Sequence, residues 1–323
     1  MGRKKGRHED FAQGWLGYGK SVDGECDRDT KPHGMSQIDV TTDQFMLHAY
    51  HTMLHHSIIL SYIILYYIGQ NLKSVAEGEN KKWEEGLVSG AVYGGEKKHT
   101  ELLNQVYGMY SLSNPLHPDL WPKVNQCEAE VISMTAGLLN GGDEDVVGAM
   151  TSGGTESIIM AVRAHLKLYG ENRGIVFPTI ISGDTAHAGL NKACEMFGIR
   201  LLQVPCGESN GYQLDPKQVE GFMNSNVIMI YASAPSYPQG VIDPIEELST
   251  VAKKFDVGLH VDACLGGFVL PFARMLDYDL PKFDFECPGV TSMSADTHKY
   301  GYASKGTSVV LYRNKVSRKL VIE

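Results

Sequence analysis

Between residues 156 and 312, short apolar runs of strand length alternate with amphipathic stretches of helix length, and this alternation leaves the chain few folds. The spacing predicts helices over 156–169 and 186–197, from about 216, and over 245–255. It predicts strands near 175–182, 200–204, 227–233, 258–262, 290–295 and 308–312. Strands that alternate with helices need crossover connections, which build a mainly parallel sheet covered on both faces. The expected fold class is therefore α/β. In such sheets ligands gather outside the carboxyl ends of the strands. His187, Ser233, Asp262 and Lys299 all fall at or just after predicted strand ends, so the pattern alone can make them converge.

Composition narrows the function classes. The 323 residues are 43% hydrophobic and 21% charged, which is ordinary for a globular protein. A formal net charge of -9 excludes a general nucleic-acid binder, because there is no basic surplus to neutralise phosphates. Six cysteines (Cys26, Cys127, Cys194, Cys206, Cys264 and Cys287) show no C-x-x-C pairing, so reduced thiols are expected. Residues 1–44 are polar without a sustained period and read as an arm. An apolar run over 57–68 follows, too short at twelve residues for a bilayer span of about 20. Extending it upstream brings in His48, His51, His55 and His56, which are costly in hydrocarbon. The run is expected to be a buried or interfacial helix, with peripheral or single-span membrane attachment as the alternative. The histidines lack a carboxylate or cysteine cluster, so no metal site is expected. The domain reading is 1–76 as arm and apolar helix, and 77–323 as one large domain.

Three motifs carry chemistry. Ser152-Gly153-Gly154-Thr155 precedes a helix, where two glycines let the backbone approach an anion and the helix terminus offers free N–H groups. A plain helix cap explains the same residues. Asp262 ends the apolar strand Leu259-His260-Val261, placing a carboxylate at a strand exit. Ser294-Ala295-Asp296-Thr297-His298-Lys299-Tyr300-Gly301 puts a lysine at another exit, where burial is expected to lower its pKa and free its amine for a Schiff base. A phosphate cradle, a carboxylate for a pyridinium nitrogen and a lysine amine are together the parts that hold pyridoxal 5'-phosphate.

Longer segments point to a family. They are Val88 to Tyr93, Ser113 to Pro118, Thr151 to Ser157, Thr185 to Ala188, Gly240 to Pro244, His260 to Phe268 and Val290 to Tyr312. On these segments the chain resembles the pyridoxal-phosphate enzymes of fold type I and, within them, the sphingosine-1-phosphate lyase family. The resemblance implies that Lys299 carries the cofactor as a Schiff base, Asp262 faces the pyridinium nitrogen and His187 stacks on the ring. Ser152, Gly153, Gly154, Thr155, Ser233 and His298 complete the implied cofactor set. Tyr93, Asn114, His117 and Lys305 are the implied substrate residues, with His117 and Lys305 on the substrate phosphate. The implied reaction is retro-aldol cleavage of a phosphorylated long-chain base such as sphingosine 1-phosphate, giving a fatty aldehyde and phosphoethanolamine. A homodimer sharing site residues is implied, as is residence at the endoplasmic reticulum membrane with the catalytic part facing the cytosol. The chain ends at Glu323, where members of the family continue into a C-terminal small domain. That domain is expected to be missing, and the chain to be a poor catalyst by itself. The alternatives are an amino-acid decarboxylase, or a short isoform that binds and regulates its full-length relative.

Overall fold

The computed structural model describes residues 40–142 and 146–313, with side chains from residue 59 onward. It falls into two compact units, divided between Asn80 and Lys81. The described part of the first unit belongs to one long helix, α1 (Val40–Glu84). The apolar run lies within it, and Ile59, Leu60, Tyr62, Ile63 and Leu65 to Ile68 are all exposed among the described residues, where a buried helix was expected. No described helix is long and apolar enough to cross a membrane. The side chains of the four upstream histidines, and the arm before residue 40, lie outside the described residues.

The second unit is built on a seven-stranded sheet. Its strands are β1 (Val147–Thr151), β2 (Thr179–Gly183), β3 (Arg200–Val204), β4 (Val227–Ser233), β5 (Gly258–Asp262), β6 (Ser292–Ala295) and β7 (Ser308–Tyr312). The spatial order is β1-β7-β6-β5-β4-β2-β3. Strands β3, β2, β4, β5 and β6 are mutually parallel, while β7 runs antiparallel to both β6 and β1. The mainly parallel sheet expected from the alternation is thus present, with one reversed strand. Every residue of β2, β4, β5 and β7 is buried, which is why these segments read as continuous apolar runs rather than alternating ones.

Helices α3 (Pro122–Leu138), α4 (Gly154–His165), α5 (Ala188–Phe197), α6 (Pro216–Phe222), α7 (Ile245–Phe255) and α8 (Leu270–Met275) cover the sheet, while α2 (Lys97–Tyr110) buries none of its residues. One apolar layer joins Leu248, Val251 and Ala252 of α7 to Val261, Met293 and Val309, and the other joins Ile158 and Val162 of α4 to Leu190, Ile228 and Tyr231. The α7 sequence fixes its own orientation: Ile245, Leu248, Val251 and Ala252 fall on one buried face, with Glu246 and Glu247 in the first turn and Lys253 and Lys254 in the last. Close packing of α4 on β5 requires Gly258, because a Cβ there would stand 2.0 Å from Cδ2 of His165.

Several boundaries differ from the sequence expectation. The helix expected to reach Tyr169 leaves α geometry after His165 and continues as a π-turn over Leu166–Gly170. The strand expected from 175 begins at Thr179; Val176 and Phe177 precede Pro178 and are 78% and 76% exposed. The strand expected over 290–295 is confined to Ser292–Ala295. The spacing did not single out β1, whose Gly148 and Ala149 weaken the strand pattern. Gly148 is tolerated because Val310 of β7 crosses so closely that a Cβ would lie 2.5 Å from its carbonyl oxygen.

Topology then assembles an edge. Because β7 is antiparallel to both neighbours, β1 runs in the same direction as β6. Thr151, Gly183, Ser233, Asp262 and Ala295 therefore end their strands on one side of the sheet, and Ser308 begins β7 there.

Candidate active site

At that edge lies a cavity of about 350 Å³, lined among others by Ser152, Gly153, Gly154, Thr155, His187, Ser233, Asp262, His298 and Lys299. Every residue expected at the cofactor end is therefore brought to one place. Each arrives by a local device. The loop after β1 turns through Gly153, at φ 149°, into α4. The first N–H groups of a helix have no partner within it, so those at the start of α4 are available to an anion. Thr151, Ser157 and Ser308 hydroxyls, linked at 2.7 and 2.8 Å, pin this turn to β7. Gly154 is required for proximity: a Cβ there would stand 2.9 Å from both carboxylate oxygens of Asp296 and 3.0 Å from Sγ of Cys264.

His187 caps α5, its Nδ1 accepting from the Gly189 N–H at 3.0 Å. Its ring meets that of Tyr237 edge-on at 5.6 Å. The Ser233 N–H donates to Asp243 Oδ2 at 2.8 Å, fixing the end of β4. Asp243 is buried, which pushes its carboxyl up to about 6 against the hydrogen bonds from Leu214 and Ser233.

Asp262 is 8% exposed and fully engaged. Oδ2 accepts from the Tyr231 hydroxyl at 2.5 Å, and Oδ1 accepts from the Cys264 N–H at 3.0 Å and from the Ser294 hydroxyl at 3.4 Å. Burial pushes its carboxyl up, but the bonds from Tyr231 and Cys264 outweigh burial and hold it below the ordinary value of 3.8. Strand register explains the set. Tyr231 lies opposite His260, and Asp262 is two residues beyond on the same face. His260, fully buried against the Ser292 and Ser294 hydroxyls at 2.7 and 3.3 Å, is pushed down to about 3 and is neutral.

Lys299 corrects the sequence expectation. Burial does pull its amine down, but Cys264 first and then Asp296, by charge and by hydrogen bond, push it up, and the balance lies above the ordinary 10.5. The Cys264 thiol nearby is itself pushed well up by burial and is neutral, so Asp296 holds the charge. Nζ lies 2.9 Å from Asp296 Oδ2, in an ion pair whose carboxylate is 3% exposed. The lysine is therefore a paired ammonium. His298 Nδ1 contacts the Thr307 carbonyl at 2.5 Å, and its Nε2 is 3.8 Å from Asp296 Oδ2.

The residues expected at the substrate end are not gathered in this cavity. Lys305 donates to the Ala91 carbonyl at 3.0 Å and sits 4.7 Å above the Tyr93 ring. Asn114 Oδ1 accepts from the Leu116 N–H in a local turn, and His117 packs 6.5 Å from Trp121. Conversely, the cavity includes Glu156, Tyr237, Cys264 and Asp296, which the sequence reading gave no role. Glu156 had a signal: it is the third residue of α4, and it reaches back to the Ser152 N–H at 2.6 Å, as a capping box does. Asp296 had one as well, standing three residues before Lys299 in the same motif. Tyr231 and Tyr237 had none, since only strand pairing and loop path bring them in.

The cavity brings together the free N–H groups at the start of α4, the buried carboxylate of Asp262 and the amine of Lys299. A side chain at Gly154 would run into Asp296 and Cys264 at this lining. These residues fit pyridoxal phosphate, and the sheet with its strand-end site defines a fold-type-I pyridoxal-phosphate protein. The family model described as the pyridoxal-dependent decarboxylase conserved domain matches residues 113–321. The chain belongs to that family, whose cofactor is pyridoxal 5'-phosphate. It is 48% identical over 250 residues to a sphingosine-1-phosphate lyase of Dictyostelium discoideum, covering 77% of this chain and 47% of that protein. A solved sphingosine-1-phosphate lyase of Burkholderia pseudomallei K96243 superposes with a TM-score of 0.75 at 42% identity, covering 78% of this chain and 59% of that one. A glutamate decarboxylase of Lactobacillus brevis, at 22% identity and TM-score 0.62, shares the fold. The chain spans about half the length of the curated relatives it matches.

Proposed function

We propose that this chain is the cofactor-binding part of a pyridoxal-phosphate-dependent lyase that cleaves phosphorylated long-chain bases such as sphingosine 1-phosphate. The observation that carries the reading is the 48% and 42% identity to two proteins named sphingosine-1-phosphate lyase, together with a family match over residues 113–321 that spans the whole cavity lining. When bound, pyridoxal phosphate supplies an aldehyde for amine exchange and a ring that takes up the electron pair of a breaking bond. The N-terminus of α4 and His298 would hold the phosphate, the carboxylate of Asp262 would hold the ring nitrogen and keep it protonated, and His187 would pack against the ring. Tyr237, edge-on to His187, helps exclude water. Lys299 provides the amine.

On this reading Tyr93, Asn114, His117 and Lys305 recognise the substrate, with His117 and Lys305 directed at its phosphate. Their absence from the cavity of their own chain supports a homodimer in which each copy completes the other's site. So does α2, which buries no residue and exposes Leu102, Val106, Tyr107 and Met109. The test has two stages. Pyridoxal phosphate added to the protein should give visible absorbance that borohydride fixes covalently to Lys299. The protein extended by the relatives' C-terminal region should then release fatty aldehyde from sphingosine 1-phosphate. Release of carbon dioxide from an amino acid instead would replace the lyase reading with a decarboxylase. Sedimentation velocity tests the dimer, and a monomer at micromolar concentration would remove it.

A further inference from the structure

The reading above gives Lys299 an amine to offer, yet the structure holds that amine as an ammonium. An ammonium has no lone pair, so it must lose a proton before it can add to any carbonyl. Where that proton goes is a question the local geometry answers. Oδ2 of Asp296 is 2.9 Å from Nζ, within direct transfer distance. Asp296 is 3% exposed, and its second oxygen, Oδ1, has no hydrogen-bond partner among the described residues. Salt bridges built only for stability engage both oxygens where they can, because an unpaired buried acceptor is costly. Oδ1 is buried against the start of α4, where a Cβ on Gly154 would stand only 2.9 Å from it.

Other groups around the lysine serve less well. Asp262 acts on Lys299 only at longer range, and its oxygens are taken by Tyr231, Cys264 and Ser294. Cys264 is a neutral buried thiol. Glu156 is turned back onto the Ser152 N–H, and the His187 Nδ1 onto the Gly189 N–H. His298 faces Asp296 rather than Lys299, with Nε2 3.8 Å from Oδ2.

We propose that Asp296 is the proton acceptor that activates Lys299, taking a proton from Nζ onto its carboxylate. The transfer converts the ammonium–carboxylate pair into a neutral amine and a neutral carboxylic acid. No charge is created, and the proton stays within the pair for return when the amine is released. His298 flanks the acid and stabilises the carboxylate when the proton goes back. The pairing that makes Lys299 a poor nucleophile at rest thus supplies the base that makes it a good one. Asp296 is a catalytic residue in this scheme because it touches the reacting nitrogen.

The inference rests on the pyridoxal-phosphate reading, and the experiment separates the two. Stopped-flow absorbance follows capture of added pyridoxal phosphate by the apo protein, its Lys299→Ala, Asp296→Asn and Asp296→Ala variants, from pH 6.5 to 9. If Lys299→Ala gives the same signal as the parent, the cofactor reading itself fails. If it gives none, the Asp296 variants decide the inference. Capture by Asp296→Asn should be about 10²-fold slower at pH 7, the low end of general-base contributions. Its deficit should shrink as pH rises, since only the fraction of lysine already deprotonated by solvent can react. Formate should accelerate the Asp296→Ala variant saturably and leave the parent unchanged. NMR of reductively ¹³C-methylated Lys299 should show its pKa falling in Asp296→Asn, independently of any capture. Capture within about threefold of the parent, well short of that general-base range, overturns the proposal. So does a deficit that neither changes with pH nor responds to formate, because that is the signature of a structural loss. Thermal melts of each variant identify any that fail to fold, and the formate comparison is then made on the folded one.

Discussion

Two groups of residues that a sequence reader would place in one site behave differently in the fold. Those expected at the cofactor end converge on one cavity at the strand edge, from Ser152 to Lys299. Those expected at the substrate end do not: Lys305 and Tyr93 meet each other, while Asn114 and His117 sit in a turn between α2 and α3. The difference lies in what positions each group. The first is carried on strand ends and helix starts, so the sheet's direction decides where it goes. The second is carried on connecting segments whose local bonds, such as Asn114 to the Leu116 N–H, fix a turn but not a destination. The sheet gathers the first group within one chain, whereas the loops leave the second outside that cavity.

The largest effect that tests this division is Lys299→Ala. Covalent capture of pyridoxal phosphate should vanish, because no other described lysine lines the cavity. Borohydride followed by peptide mapping checks it. An adduct retained elsewhere in the variant would mean that the strand-edge cavity is not where the cofactor attaches.

A second effect concerns two histidines buried at the sheet. His165 and His260 are buried and held neutral, at about 4 and about 3. Each pKa is depressed below the ordinary 6.5, so the unfolded chain takes up protons that the folded chain refuses, and stability falls as pH drops below 6.5. For His165 alone the fall from 6.5 to about 4 corresponds to about 3 kcal/mol, lost between roughly pH 6.5 and 4. Asp243 acts in the opposite sense: its raised value of about 6 gives the folded state extra affinity for protons between roughly pH 6 and 4, partly offsetting the histidines. Urea midpoints from pH 7 to 4.5 should therefore fall, and His260→Gln should flatten the slope. An unchanged slope would show that His260 is not neutral in the fold.

Smaller again is Tyr231→Phe. It leaves buried Asp262 Oδ2 without its donor, a loss of about 1.5–3 kcal/mol for a bond to a charged group. Chemical denaturation measures the stability, and the pH at which the bound cofactor's absorbance changes reports on Asp262. Loss of stability with no spectral change would mean that Tyr231 supports the strand and not the carboxylate's charge.

Much of this was legible in the chain because local rules and topology agree. The strands 227–233, 258–262 and 308–312 appear at the predicted bounds, since runs buried on both faces leave a strong apolar signal, and 200–204 does so as a half-buried edge strand. Cofactor-end residues were legible because strand ends follow from the alternation. What escaped depends on pairing across the sheet. β1 was missed because its glycine is explained only by the close crossing of β7, and Tyr231 because its partner lies 31 residues on. The charge on Lys299 was misjudged because burial is visible in a motif, whereas a competing carboxylate is decisive only once the turn brings Asp296 to 2.9 Å.

The smallest expected effect is the most discriminating. His117→Ala and Lys305→Ala alter residues that line no part of the cofactor cavity, and Lys305 is exposed. Substitutions at such positions usually change stability by no more than about 0.5 kcal/mol. Cofactor capture should be unchanged in rate and extent for both variants. If the two side chains instead bind the substrate phosphate, each removes a charge-assisted bond, and affinity for phosphorylated substrate should fall roughly 10- to 150-fold in the extended, active protein. An unphosphorylated analogue should be unaffected. The same pair of substitutions would then be silent in one assay and large in the other, which is how a loop-built site differs from a sheet-built one. Reduced capture in either variant would break the division, by placing the substrate-end residues against the cofactor within one chain.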